Sequence, residues 1–221
     1  MNAVEETNKY MEFTQYELTQ LDRKYRLNLI NSISGIKPAN LIATKSKDGK
    51  ENVAIFSSVV HLGSNPAQLG FVLRPQGDEP RDTYANILET GVYTINHIPE
   101  HLHKNAHYTS AKLERGVSEF ERMNIAPVYL KNFPAPFVKE SPVKLGMKHL
   151  HSIPLPNDCS FIIGEIVHID LPEEAVNELG QIDLAHNKTV GIGGLNTYYK
   201  LEKLETYPYV RTHEIPKKED F

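Results

Sequence analysis

The chain has 221 residues, of which 40% are hydrophobic, and its formal net charge is −4 at pH 7 with histidine neutral. This is enough for one ordinary hydrophobic core, and the slightly acidic balance with no basic stripe predicts no nucleic-acid partner. No run of 18 apolar residues occurs, so we expect no membrane span. The N-terminus, MNAVEETNKYMEF, has no apolar signal core, and the single cysteine, Cys159, fits a reducing compartment, so we expect a cytoplasmic protein.

The first predicted element is a short helix near the N-terminus. Thr14 and Glu17 have the spacing of a capping box, in which a hydroxyl is followed three residues later by an acid. Leu18, Leu21 and Tyr25 follow at helical spacing. We expect this helix to lie on the surface of the main body.

Three strands and a second helix are predicted next. Residues 40–46 and 52–60 form the two arms of a hairpin around Asp48-Gly49, and 68–74 forms a third strand. A short helix is predicted over 82–90, where Asp82 or Thr83 can cap the first turn and Gly91 can end the last. Its inward face is predicted to contain Tyr84, Ile87 and Leu88.

The second half of the chain is less regular. We predict a strand at 92–98, helix within 99–111, broken extended chain at 126–144, a clear strand at 159–171, and a helical stretch after Pro172. There is no internal repeat, no low-complexity linker and no shift in composition. One domain over residues 1–221 is therefore expected, and many short strands with turn signals favour a β-barrel over alternating βαβ units.

The predicted strand NVAIFSSVV, at 52–60, has no clean polar face. Strict alternation places Asn52, Ala54 and Ser58 on one side, and Ser57 on the other side with the apolar residues. Small polar residues on a strand allow a ligand to approach the backbone closely. Ser57 and Ser58 can reach one ligand only if the strand bends or bulges near Phe56.

An anion site is predicted where the third strand leads into the helix. Arg74 ends the strand, and Arg81 precedes the helix start at Asp82-Thr83, where backbone N–H groups are free. This suits a phosphorylated, planar ligand. The alternative is that both arginines are ordinary loop residues paired with Asp78, Glu79 or Asp82, and residue spacing leaves the two readings open.

Other chemical signatures are absent or weak. Gly191-Ile192-Gly193-Gly194 does not complete a dinucleotide-binding motif, and there is no Walker A lysine motif and no GxSxG elbow. We expect Cys159 to be a buried structural residue. His97 and His101, like His103 and His107, are four residues apart and could bind a metal on one helix face, but no HExxH motif occurs and we expect no metal there. His149 and His151 alternate on an extended segment, where they could line a cavity or lie on a surface strand.

The order of motifs resembles the flavin reductase-like family, whose fold is the FMN-binding split barrel. The resemblance is nearest to the branch of the nitrilotriacetate monooxygenase reductase component and also includes flavoredoxin. It rests on YRLNLINSI (25–33), LIATKSKDGKENVAIFSS (41–58), RDTYANILETGVYTIN (81–96), FIIGEIVHI (161–169) and LNTYYKLEKL (195–204). It therefore covers about residues 25–205, flanked by an N-terminal helical arm at 1–24 and a C-terminal tail at 206–221.

The resemblance implies a mainly β fold, a split β-barrel of Greek-key type with peripheral short helices, which pairs into a homodimer with FMN at the subunit interface. Carried over to this chain, the isoalloxazine and ribityl chain would contact Asn52, Ala54, Ser57 and Ser58. The phosphate end would contact Arg74, Arg81, Thr83 and Asn86. No catalytic acid or base is implied, because the cofactor carries the chemistry.

Three positions depart from the family pattern. Ile55 stands where the branch has proline, Lys37-Pro38-Ala39 replaces a P-R-P sequence, and Asn65-Pro66-Ala67 has one proline in place of two. These departures leave the expected fold unchanged.

The resemblance implies an NAD(P)H-dependent FMN reductase that supplies reduced flavin or electrons to a monooxygenase or other redox partner. The alternative is a flavoredoxin-like electron carrier that holds FMN without its own NAD(P)H turnover. A histidine-rich metal protein is a third hypothesis. The choice between NADH and NADPH, or between FMN and FAD, is not encoded in a recognisable motif.

Overall fold

The computed structural model describes residues 10–77, 81–114 and 117–220. Its helices are α1 (Gln15–Gln20), α2 (Arg23–Ser32), α3 (Asp82–Thr90), α4 (His103–Tyr108) and α5 (Glu119–Arg122). The strands in the first half are β1 (Lys37–Pro38), β2 (Asn40–Lys45), β3 (Glu51–Phe56), β4 (Val60–Ser64), β5 (Ala67–Leu73) and β6 (Val92–His97). Those in the second half are β7 (Pro127–Val128), β8 (Phe137–Val138), β9 (Lys144–Pro154), β10 (Ser160–Asp170), β11 (Val190–Gly193) and β12 (Thr197–Lys200).

The main sheet is antiparallel and has the strand order β3-β2-β6-β9-β10-β5-β4. Although β3 and β4 follow each other in the chain, they lie at opposite edges of this sheet, so residues 57–59 must join the two edges. The Ser58 side chain makes this closure, because its Oγ accepts a hydrogen bond from Val72 N at 3.0 Å and donates one to Val72 O at 3.2 Å. The sheet is therefore curled into a barrel, and Ser58, which follows β3, is bonded to β5 beyond the end of β4.

The barrel interior forms one of two hydrophobic cores. Phe56, Phe71 and Tyr93 form a chain of edge-to-face contacts, with ring centroids 5.1 and 5.6 Å apart. A Cβ atom added to Gly164 would overlap the Tyr93 hydroxyl, so glycine is required beside this ring. The interior of the barrel is therefore filled by side chains.

The second core lies outside the barrel, against β2 and β3. It includes Val53, with Ile55 packed against it, while Phe56 packs in the barrel core. Alternate residues of β3 therefore contact different cores. This explains why the strand has no clean polar face: both of its faces are covered by protein over most of its length.

Most predicted elements are confirmed, and the capping box of Thr14 and Glu17 is formed. Several details are wrong. The strand predicted over 52–60 ends at Phe56, and Val60 begins β4 at the opposite edge of the sheet. The N-cap of α3 is Arg81, not Asp82 or Thr83, and it makes no side-chain capping bond. Leu88 is 55% exposed and does not face inward. The helical stretch predicted directly after Pro172 is a single 3-10 turn, Glu173–Ala175, because Val176 returns to extended backbone.

A smaller sheet of order β1-β11-β12 lies beside the start of β2. Lys37 pairs with Ile192 in this sheet, which brings residues more than 150 positions apart in the chain into contact. Within the described ranges, no helix has the length and apolar character needed to cross a membrane.

Candidate functional site

The outer edge of β3 carries backbone groups that no strand pairs with, because β3 ends the sheet. The Val53 amide points off this edge and donates to Glu119 Oε2 at 3.5 Å. In an antiparallel edge strand, every second residue points its N–H and C=O groups off the edge. Ile55 and Ser57 are the next residues whose N–H and C=O groups point off this edge. None of the residues that the structure describes hydrogen-bonds to those groups. A short uncapped edge therefore lies between Glu119 and the Ser58 closure.

The two predicted serines have different surroundings. Ser58 Oγ is fully engaged with the backbone of Val72, where it substitutes for a missing strand partner. Ser57 is half-buried, and its hydroxyl has no hydrogen-bond partner among the residues that the structure describes. Ala54 is also half-buried on the same strand. The free hydroxyl beside the uncapped edge is thus that of Ser57.

Three other predicted residues meet in a buried polar network. Asn52 Nδ2 donates to Thr83 Oγ1 at 2.9 Å, and Asn86 Nδ2 donates to Thr44 Oγ1 at 3.0 Å. All four residues are buried. The network attaches α3 to β2 and β3, so Asn52, Thr83 and Asn86 position the helix whose start follows Arg81.

The two predicted arginines are linked by Gln76. Gln76 Nε2 donates to Arg74 O at 2.7 Å, and Gln76 Oε1 accepts from Arg81 N at 2.9 Å. Both arginine side chains are exposed, and neither makes an ion pair with a described carboxylate. The alternative pairing with Asp78 or Glu79 lies outside the described residues, and the pairing with Asp82 is not formed.

Lys37 is a basic residue that the sequence-based site residues do not include. Its Nζ donates to Asn31 O at 3.0 Å and to Gly194 O at 2.9 Å. Burial lowers the pKa of Lys37, and the nearby charge of Arg74 lowers this pKa further. A sequence signal for Lys37 as a site residue is its segment, Lys37-Pro38-Ala39, which stands where the family has the basic P-R-P sequence.

A cleft of about 730 Å³ lies between the β2–β3 hairpin and α3. Asn52 and Asn86 line it, and its other lining residues include the acids Asp48, Glu51, Asp82 and Glu89. Burial raises the pKa of the neighbouring Glu119, and the charge of Asp82 raises it further. This acidic cleft would repel a phosphate, so Lys37, Arg74 and Arg81 are the better candidates for an anion.

The histidines do not converge on a metal site. Across the described part of the chain, no group of three or more His, Cys, Asp or Glu side chains could hold a metal ion. His107 Nδ1 instead lies 3.1 Å from the Tyr198 hydroxyl, and His149 Nε2 lies 2.9 Å from Ser152 Oγ. Cys159 is half-buried rather than buried.

The fold matches several solved structures. A split-barrel protein from Shewanella frigidimarina, provisionally described as a flavin reductase, is 44% identical and superimposes with a TM-score of 0.87 over 91% of this chain and 100% of that chain. Nitrilotriacetate monooxygenase component B from Bacillus cereus has a TM-score of 0.79 at 21% identity, over 91% and 100% of the two chains. Flavoredoxin of Desulfovibrio vulgaris has a TM-score of 0.69 at 22% identity, over 79% and 92%.

These matches confirm the predicted split-barrel architecture, since the mainly antiparallel β-structure closes as the sequence motifs indicated. The family model for the flavin reductase like domain matches residues 36–189, which include the barrel strands β2–β6, β9 and β10. The chain therefore belongs to the flavin reductase-like family.

Proposed function

We propose that this protein is an FMN-binding oxidoreductase, an NAD(P)H-dependent flavin reductase that passes reduced flavin or electrons to a partner. The observation that carries the proposal is the uncapped edge of β3 at Ile55 and Ser57, which lies between two capped positions. A ligand with alternating hydrogen-bond acceptors and donors along one side would satisfy such an edge. The pyrimidine side of an isoalloxazine ring has this pattern.

The residues at the edge fit a flat ring. Ala54 is small, so a ring can approach the strand closely, and the half-buried Ser57 hydroxyl is free to donate or accept a hydrogen bond. A backbone N–H from this edge would favour negative charge on the ring portion nearest to it. When bound, FMN supplies the hydride acceptance and electron transfer, so no acid or base of the protein is required for that chemistry.

The basic residues fit the phosphate end of the same ligand. The charge of Arg74 lowers the pKa of Lys37, and no described carboxylate forms an ion pair with either side chain. A phosphate group would relieve this repulsion through charge-assisted hydrogen bonds. Arg81 at the start of α3 would add a third cation, held near Arg74 through Gln76.

The proposed assembly is a homodimer with the flavin at the subunit interface, located in the cytoplasm. The Bacillus cereus neighbour is named as a component of a monooxygenase, which supports a monooxygenase or a related redox protein as the partner. The flavoredoxin neighbour supports the second candidate, an FMN-binding electron carrier without NAD(P)H turnover.

Titration of the purified protein with FMN and with riboflavin tests the cofactor. We expect a bound-flavin visible spectrum with FMN and weaker binding of riboflavin, which lacks the phosphate. Arg74→Gln should weaken FMN binding by about tenfold or more and leave riboflavin binding unchanged. The matched control is Lys139→Gln, which neutralises an exposed cation elsewhere. Absence of flavin binding at micromolar concentration would exclude the proposal.

Rapid mixing of the flavin-loaded protein with NADH and with NADPH separates the two candidate functions. Loss of the flavin absorbance band on the timescale of turnover indicates a reductase. A band that persists with both nucleotides, but disappears with a chemical reductant, indicates an electron carrier.

A further inference from the structure

The acidic cleft between the β2–β3 hairpin and α3 is lined by two amide oxygens that accept no hydrogen bond from the described residues. They belong to Asn52 and Asn86, each of which is only 6% exposed. The Nδ2 groups of these side chains donate to Thr83 and Thr44, which leaves both Oδ1 atoms without a partner. Neither oxygen is fully enclosed, so each is open to the cleft that its residue lines. Because a buried polar atom without a partner costs free energy, the pair indicates a donor from a bound ligand.

The charges that line this cleft are mostly negative. Its described lining residues include four carboxylates and one cation, Lys50, whose Nζ lies 3.8 Å from an Asp48 oxygen. The other three carboxylates are those of Glu51, Asp82 and Glu89. Asp82 is half-buried, and its carboxylate makes no hydrogen bond or ion pair with a described residue. The cleft therefore attracts cations and repels anions.

The shape of the cleft and its apolar wall favour an extended organic cation over a single metal ion. Among the described residues, no three His, Cys, Asp or Glu side chains form a group that could hold a metal ion, so the carboxylates do not converge on one point. The volume of about 730 Å³ lies within the range of small-molecule sites, roughly 300–1,000 Å³. Ala85, Leu88 and Val117 form the apolar part of the wall, and Leu88 is 55% exposed. A matching ligand has several cationic groups joined by apolar segments.

We propose that this cleft binds a linear alkyl polyammonium ion, a ligand of the polyamine class. The ammonium groups donate to the carboxylates and to the Oδ1 atoms of Asn52 and Asn86, and the methylene chain covers the exposed side of Leu88. The site is separate from the proposed flavin site, because Asn52 and Ile55 are three residues, or about 10 Å, apart along β3. The proposal therefore goes beyond the proposed function and does not depend on flavin binding.

Isothermal titration calorimetry of the full-length protein with spermidine tests the site. The titration is done at about 0.15 M salt, where interactions between exposed charges are largely screened. We expect saturable binding of one spermidine per chain, and no comparable binding of Mg²⁺, which has no apolar segment, or of butanediol, which has no charge. Heats that do not saturate, or that Mg²⁺ reproduces, would show general charge attraction only and would overturn the proposal.

Variants separate this site from the acidic charge of the whole protein. Asp82→Asn should weaken spermidine binding by about tenfold, whereas Glu178→Gln removes the same charge from an exposed position outside the cleft and should change the affinity by less than about twofold. Leu88→Ala alters an exposed side chain and should weaken binding by about threefold. Circular dichroism checks that each variant is folded. Equal effects of the two charge variants, or an unchanged affinity in Leu88→Ala, would overturn the proposal. The titrations contain no flavin, so their failure is distinguishable from failure of the proposed function.

Discussion

Thr83 Oγ1 accepts a hydrogen bond of 2.9 Å from Asn52 Nδ2, and this contact joins the first turn of α3 to β3. Thr83→Val should lower the free energy of unfolding by about 1–3 kcal/mol, because it leaves a buried amide donor without its best partner. Thr90→Val is the control: its half-buried hydroxyl bonds the Asn86 carbonyl of the same helix, and we expect a loss below about 1 kcal/mol. Chemical denaturation measures both. Equal losses would contradict the prediction.

Substitution of Ser58 should mainly affect stability, whereas substitution of Ser57 should mainly affect ligand binding. Ser58→Ala leaves both backbone groups of Val72 unpaired and should cost about 1–3 kcal/mol of stability. Ser57→Ala removes a hydroxyl without a described partner and should change stability by less than about 0.5 kcal/mol, while it weakens FMN binding. Thermal unfolding and FMN titration of the two variants provide the comparison. The reverse pattern would assign the flavin contact to Ser58.

Glu119 should make the protein less stable as the pH rises. Burial and the charge of Asp82 raise the pKa of Glu119 in the folded state above its usual value. The stabilisation from the protonated acid is therefore complete below the unfolded pKa of about 4.3 and is lost as the pH rises through the folded pKa. Glu119→Gln should be more stable than the wild type at pH 7.5 and similar to it at pH 4. The measurement is the unfolding midpoint against pH, and a destabilised variant at pH 7.5 would count against this account.

His97 should make the protein less stable as the pH falls. Burial lowers the pKa of His97 to about 4. The stabilisation from neutral imidazole is present above the unfolded pKa of about 6.5 and is lost as the pH falls towards 4, by up to about 1.4 kcal/mol per pH unit. His97→Gln should flatten the stability curve in this window. Denaturant unfolding at several pH values checks it, and an unchanged slope would show that other groups control acid unfolding.

The sequence predicted those elements whose signals are local. The turn at Asp48-Gly49, the strand at 40–46 and the glycine that ends α3 were predicted from short-range patterns, and each of them forms. The N-cap of α3 was mispredicted because the Thr83 hydroxyl is used by Asn52, 31 residues away. A hydroxyl that serves a distant strand is not available to cap its own helix.

The candidate site likewise contains residues that local sequence signals predict and residues whose roles depend on distant parts of the chain. Arg74 and Arg81 were predicted from residue type and spacing, whereas the role we propose for Lys37 depends on the pairing of β1 with β11, which no local pattern reveals. Likewise, the structural use of Ser58 follows from barrel closure. The sequence could narrow the question to two serines, but only the three-dimensional arrangement shows which hydroxyl is already engaged.

The ring of Phe56 packs inside the barrel, while its neighbours Ile55 and Ser57 direct backbone groups to the free edge. One strand is thus under two separate selection pressures. Substitutions at the even-numbered positions must fit a filled core or a buried network, whereas Ser57 can change with little effect on folding. In this lineage, altered ligand preference should therefore accumulate at Ser57, because Val53 and Ile55 are held by the second core, and the barrel can stay constant while its chemistry diverges.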